Sequence, residues 1–128
     1  MFVMTRYVGI DIAKAHLDVA VREVERSGEE EEPDSTLEAS FQVENTAEGR
    51  DRLVRQLREV DPTRVVLEAS GGLEKPVVAG LGTAELPVVV VNPIQTSEFA
   101  KSLGRLEKTD QIDANVLALF GDRDRPDL

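Results

Sequence analysis

The sequence predicts an α/β domain built on a mixed five-stranded sheet, an antiparallel three-strand meander followed by a βαβ part, with helices on both faces. Three observations predict it. Apolar residues alternate with period two through three early segments. After residue 45 they recur at helical spacing. Two short apolar runs, 64–69 and 86–91, then alternate with helix-like stretches, the pattern of parallel strands joined by crossover helices.

Each element follows from its residues. Thr5 to Ile12 reads as a strand with Val8, Ile10 and Ile12 on one face, and His16 to Val24 as a second carrying Leu17, Val19 and Val21. Leu37, Ala39, Phe41 and Val43 alternate in a third. Between the second and third lies an acidic run, Glu29 to Glu32 plus Asp34, which predicts a solvated, self-repelling hairpin loop over about residues 25–35. Asn45 with Glu48 reads as a helix cap, and Leu53, Leu57 and Val60 continue at helical spacing to Asp61-Pro62. Arg64 to Ala69 predicts a buried strand that Ser70-Gly71-Gly72 ends. A helix with Leu73, Val77 and Leu81 follows, with Pro76 in its first turn. Leu86 to Val91 predicts another fully buried strand. Asn92-Pro93-Ile94-Gln95 then supplies a cap and a first-turn proline for a helix to about Leu103. After Gly104 a last helix is expected from about Thr109 to Phe120. The domain thus occupies residues 1–121, and 122–128 form a polar tail. The element order matches the ribonuclease H fold.

The chain of 128 residues is the size of one domain, with 41% hydrophobic and 31% charged residues, an ordinary globular mixture. It has no cysteine, which excludes disulfides and thiolate metal sites, and a single histidine, His16, which excludes a multi-histidine site. A metal would therefore be held by carboxylates, which suit hard ions such as Mg²⁺ or Mn²⁺. No signal peptide or transmembrane segment is evident, so a soluble, cytoplasmic protein with no membrane partner is expected. The net charge of −10 argues against nucleic acid as a default partner. The acidic run alone supplies five of those charges, so the objection is mild.

Asp11 is the most informative residue. It interrupts the apolar strand Val8-Gly9-Ile10-Asp11-Ile12, where an unpaired buried charge costs several kcal/mol. Glu68 repeats the anomaly at the end of Val65-Val66-Leu67-Glu68, and ligand sites of α/β sheets gather at such strand ends. An edge-facing or salt-bridged aspartate explains one such residue; two in separate core strands are harder to dismiss. Asp110 and Asp113, three apart at a helix start, project from one face. Capping explains that pair equally well, with Asp110 as the cap and Asp113 as its capping-box partner. Four carboxylates gathered together repel unless cations lie between them, which is what two-metal phosphodiester chemistry uses.

Tyr7-Val8-Gly9-Ile10-Asp11-Ile12-Ala13-Lys14, Leu67-Glu68-Ala69-Ser70-Gly71-Gly72, Val91-Asn92-Pro93 and Lys108-Thr109-Asp110-Gln111-Ile112-Asp113-Ala114 together resemble the DEDD transposases of insertion sequences. The N-terminal domain of that family is similar to the Holliday-junction resolvase RuvC. The resemblance implies a DNA-recombining domain in which Asp11, Glu68, Asp110 and Asp113 are both catalytic and metal-binding. It also implies Mg²⁺ (or Mn²⁺) as cofactor, DNA as partner, a structured guide RNA as a further one, and homo-oligomers of the full-length protein. The family pattern continues into a second domain bearing a nucleophilic serine, so these residues are expected to be a fragment, a truncated copy or an isolated domain, inactive alone. Lys14, Lys101, Arg105 and Lys108 are candidate phosphate contacts, against simple surface solvation. His16 reads as a turn residue rather than a ligand, and Ser70 has no histidine to activate it.

Two other readings compete. An actin- or sugar-kinase-type ATP-binding domain shares the fold and the opening Gly-x-Asp strand. That reading expects a glycine-rich hairpin where Ala13-Lys14-Ala15-His16 stands, and it gives Asp110 and Asp113 no role. A non-catalytic remnant is the other.

Overall fold

The computed structural model describes residues 3–26, 34–104 and 113–123. The elements run β1 (Val3–Ile12), β2 (His16–Arg26), β3 (Asp34–Glu44), α1 (Ala47–Val60), β4 (Arg64–Glu68), α2 (Lys75–Thr83), β5 (Val88–Val91), α3 (Pro93–Ser102) and α4 (Ala114–Arg123). The strands form one sheet in the order β3-β2-β1-β4-β5. β1, β2 and β3 pair antiparallel, while β4 and β5 join parallel to β1. This is the meander and βαβ arrangement that the periodicities predict.

Alternation along the strands separates two faces. On one, Val8, Ile10, Leu17, Val19, Val21, Val65 and Leu67 pack with Leu53 and Leu57 of α1 and Val77 and Leu81 of α2. On the other, Val66, Val89 and Val91 pack with Leu117 and Phe120 of α4, and Phe99 of α3 meets Phe120 edge to face, ring centres 5.4 Å apart. Asp11 follows Gly9 by two residues and Glu68 follows Val66 by two. Both carboxylates therefore fall on the second face.

Several boundaries differ from the sequence expectation, each for a local reason. Thr46, not Asn45, caps α1: it has extended backbone, and its hydroxyl accepts from Gly49 N at 3.0 Å. Asn45 instead ties the chain together, donating to Ala13 O at 2.9 Å and accepting from Arg50 at 2.8 Å. β5 is an edge strand rather than a fully buried one, with Val89 and Val91 inside and Val90 exposed. Leu37 is likewise exposed, because β3 is the other edge and its packing against α1 lies nearer Phe41 and Val43. Leu73 precedes α2 and is exposed. α4 begins at Ala114 and continues past Phe120 to Arg123. Its last turn holds because Asp122, 2% exposed, pairs with Arg26 of β2. β2 runs to Arg26 and β3 begins at Asp34, so strand extends into both ends of the loop expected at about 25–35. Residues 27–33 and the expected helical residues Thr109 to Ile112 lie outside the described residues.

Candidate metal centre at the strand ends

β1 and β4 run parallel, with Ile10 opposite Leu67, so Asp11 and Glu68 stand one residue beyond this register on neighbouring strands. α4 crosses the same face. The reason is Gly9: a Cβ there would lie 1.9 Å from the Ala114 carbonyl oxygen and 2.6 Å from Ala118 N. Glycine is required because the helix backbone rests directly on the strand. That contact brings the first turn of α4, with Asp113 just before it, to the Asp11 side chain two residues along β1. Arg22 of β2 anchors the same turn by donating to Asn115 at 2.7 Å.

The electrostatics record the convergence. Burial pushes the Asp11 carboxyl above its ordinary value, and the like charges of Asp18, Glu68 and Asp113 push it further, while His16 opposes them. Asp113 also caps α4, accepting from Val116 N through Oδ1 at 2.9 Å. Asp113 thus acts as a cap as well as coupling to Asp11, while Asp110, the cap expected from the sequence, lies outside the described residues.

Glu68 is held from α3: the hydroxyl of Thr96, a fully buried residue, reaches Glu68 Oε2. The turn after Glu68 is shaped by Gly71 and Gly72, with φ of 68° and 105°, which favour glycine. Glu74 closes that turn by accepting from Ser70 N at 3.0 Å and Gly72 N at 2.9 Å, and these bonds hold its carboxyl below the ordinary range.

Of the expected site residues, Asp11, Glu68 and Asp113 are brought to one strand-end locus. Asp110, Arg105 and Lys108 lie outside the described residues. Lys14 is exposed in the β1–β2 turn and Lys101 is exposed in the last turn of α3. Among the described residues no three His, Cys, Asp or Glu side chains are already gathered closely enough to hold a metal ion. The donor set nevertheless fits a hard cation, because it is all oxygen and Asp11 sits among like charges that a cation would offset.

Sequence reasoning missed three participants. Asp18 faces Asp11 directly across the β1–β2 pair and accepts from Gln42 at 2.9 Å. Alternation with Leu17 and Val19 already placed it off the core face, but only the strand register puts it beside Asp11. Gly9 carried a signal, since a glycine inside a strand marks a close backbone approach. Thr96 carried none.

Comparison with known proteins decides the family. A model for DEDD transposases of the IS110 type, described as "Transposase", matches residues 8–128. The chain belongs to this family. No protein of curated function matches it. Among solved structures it is similar to the fowlpox virus Holliday junction resolvase, with a TM-score of 0.60, 15% identity, and 95% of this chain and 100% of that one covered. The same resolvase in complex with its Holliday junction DNA substrate gives 0.57 and 17%, over 90% of this chain and 95% of that one. These likenesses confirm the RuvC-like, ribonuclease H type of fold. The chain's membership of the transposase family, not the shared fold, makes it a DNA-recombining domain and sets the kinase-type alternative aside. Among its described residues no helix is long and apolar enough to cross a membrane.

Proposed function

We propose that this transposase domain holds Mg²⁺ or Mn²⁺ on Asp11, Glu68, Asp113 and Asp110 and uses it in phosphodiester cleavage and transfer on cytoplasmic DNA. The observation that carries the reading is the placement of Asp11 and Glu68 at the ends of neighbouring parallel strands, with Asp113 at the start of the helix that rests on Gly9. The upward push on the Asp11 carboxyl agrees with it. Burial and three like charges disfavour the ionised Asp11 carboxylate, and a cation would offset them. When bound, the metal polarises the phosphodiester and stabilises the attacking and leaving oxygens. The protein's part is positional. β1 and β4 fix Asp11 and Glu68, Thr96 orients Glu68, and the α4 cap fixes Asp113 against the strand through Gly9. Lys14 and Lys101, with Arg105 and Lys108 by the sequence pattern alone, are the proposed phosphate contacts. By the family resemblance, a structured guide RNA and further copies of the full-length protein complete the working assembly, and strand joining draws on a serine from the family's second domain. These residues alone therefore bind metal and DNA and at most nick it.

Replacing Mg²⁺ by Fe²⁺ with ascorbate tests the location, because radicals formed at the ion cut the polypeptide nearby. Cuts clustered near residues 11, 68 and 110–113, suppressed by excess Mg²⁺, are expected. Uniform or remote cutting would sink the proposal.

A further inference from the structure

The Asn92-Pro93 block has no role in the chemistry so far. We infer that its purpose is to place Thr96 as a positioning residue for Glu68, an inference that rests on the metal-centre reading above. Asn92 caps α3, accepting from Ile94 N through Oδ1 at 2.9 Å, while its carbonyl accepts from Gln95 N at 3.0 Å. Pro93 presets the first turn, and the bond from Ala69 N to Val91 O, 3.1 Å, fixes the end of β5 beside the residue after Glu68. Thr96 then stands one turn into α3, fully buried, with its hydroxyl between two acceptors. One is the Pro93 carbonyl at 3.1 Å; the other is Glu68 Oε2.

A buried helical threonine normally satisfies itself on a carbonyl of the preceding turn. Pro93 already offers that bond, so Thr96 does not need Glu68. Glu68 gains from Thr96: a hydroxyl with a single hydrogen makes its stronger bond to the charged acceptor and fixes one carboxylate oxygen. The second oxygen, Oε1, is left for a cation. A site selected for packing alone would take valine, which has the same shape.

Partners that orient metal ligands commonly contribute 10–100-fold in affinity, so Thr96→Val should weaken Mn²⁺ binding by about that factor. Thr96→Ser keeps the hydroxyl and should recover most of the loss. Thr83→Val, an exposed threonine on α2, serves as control and should bind like the parent. The readout is the free Mn²⁺ signal in electron paramagnetic resonance titrations, with melts in chelator to confirm folding. If the valine variant does not fold, Thr96→Ala takes its place. Unchanged affinity in the hydroxyl-less variant, or a serine variant as weak as it, overturns the inference while leaving the metal centre intact. A parent that binds no Mn²⁺ overturns the metal-centre reading and this inference with it.

Discussion

The two faces of the sheet are made from the same strands and behave as opposites. Toward α1 and α2, β1 presents Val8 and Ile10 and β4 presents Val65 and Leu67, an apolar layer closed by leucines. Toward α3 and α4, alternate residues of those strands are Gly9, Asp11, Val66 and Glu68, joined by the buried charges of Arg22 and Asp122. The first face builds stability from area removed from water. The second accepts crowded carboxylates, which oppose folding, and needs a glycine so that a helix end can reach them. Period two lets one segment serve both ends, and stability and chemistry can therefore be altered separately.

The largest effect is expected where the second face is held together. Gly9→Ala drives a methyl into the α4 backbone, which cannot yield without moving the helix. It should cost at least about 3 kcal/mol in urea denaturation and abolish metal binding. A cost below 1 kcal/mol would mean that α4 does not rest on β1.

On the first face, Leu57→Ala should cost about 2–4 kcal/mol by leaving a cavity in the α1 layer. Metal affinity per folded molecule should not change. A fall in affinity at constant folded fraction would show that the faces are coupled.

Much of this division is legible in the sequence. Alternation and helical spacing give the element order, and two acids inside apolar strands point to the proposed site. What escapes is what depends on register or on long-range approach. Asp18 is an ordinary outward strand residue until β2 is set against β1. Thr96 is one more polar residue on a helix until the fold brings its hydroxyl to Glu68. Val90 and Leu37 look buried in any apolar run, and only the position of their strands at the sheet edges exposes them. The exchange of Asn45 for Thr46 as cap is a shift of one residue: the Thr46 hydroxyl accepts from Gly49 N, while Asn45 is bonded to Ala13 and Arg50.

Smaller effects come from titration and from surface helix. A raised folded-state value for Asp11 means that its contribution to stability is present below the ordinary aspartate range and lost as pH rises through the raised value. In chelator, melts of Asp11→Asn and parent should therefore coincide at low pH and diverge in favour of the variant as pH rises. Divergence in the opposite sense would contradict the crowding. Gly80→Ala in α2 meets nothing within 4 Å and should stabilise by about 0.5–1 kcal/mol through helix propensity. A loss there would mean that the α2 surface is packed against something.

The central claim, that the second face is a metal centre whose carboxylates oppose folding until a cation joins them, rests on Asp11. Thermal melts of the parent and Asp11→Asn, each with chelator and with Mn²⁺, test it most directly. In chelator the variant should melt at the same temperature as the parent or higher. Mn²⁺ at a hundredfold excess over its dissociation constant should stabilise the parent by about 2.7 kcal/mol, and the variant should lose most of that gain. A variant that melts far below the parent in chelator yet responds to Mn²⁺ as the parent does would contradict it, and Asp11 would then be a structural residue.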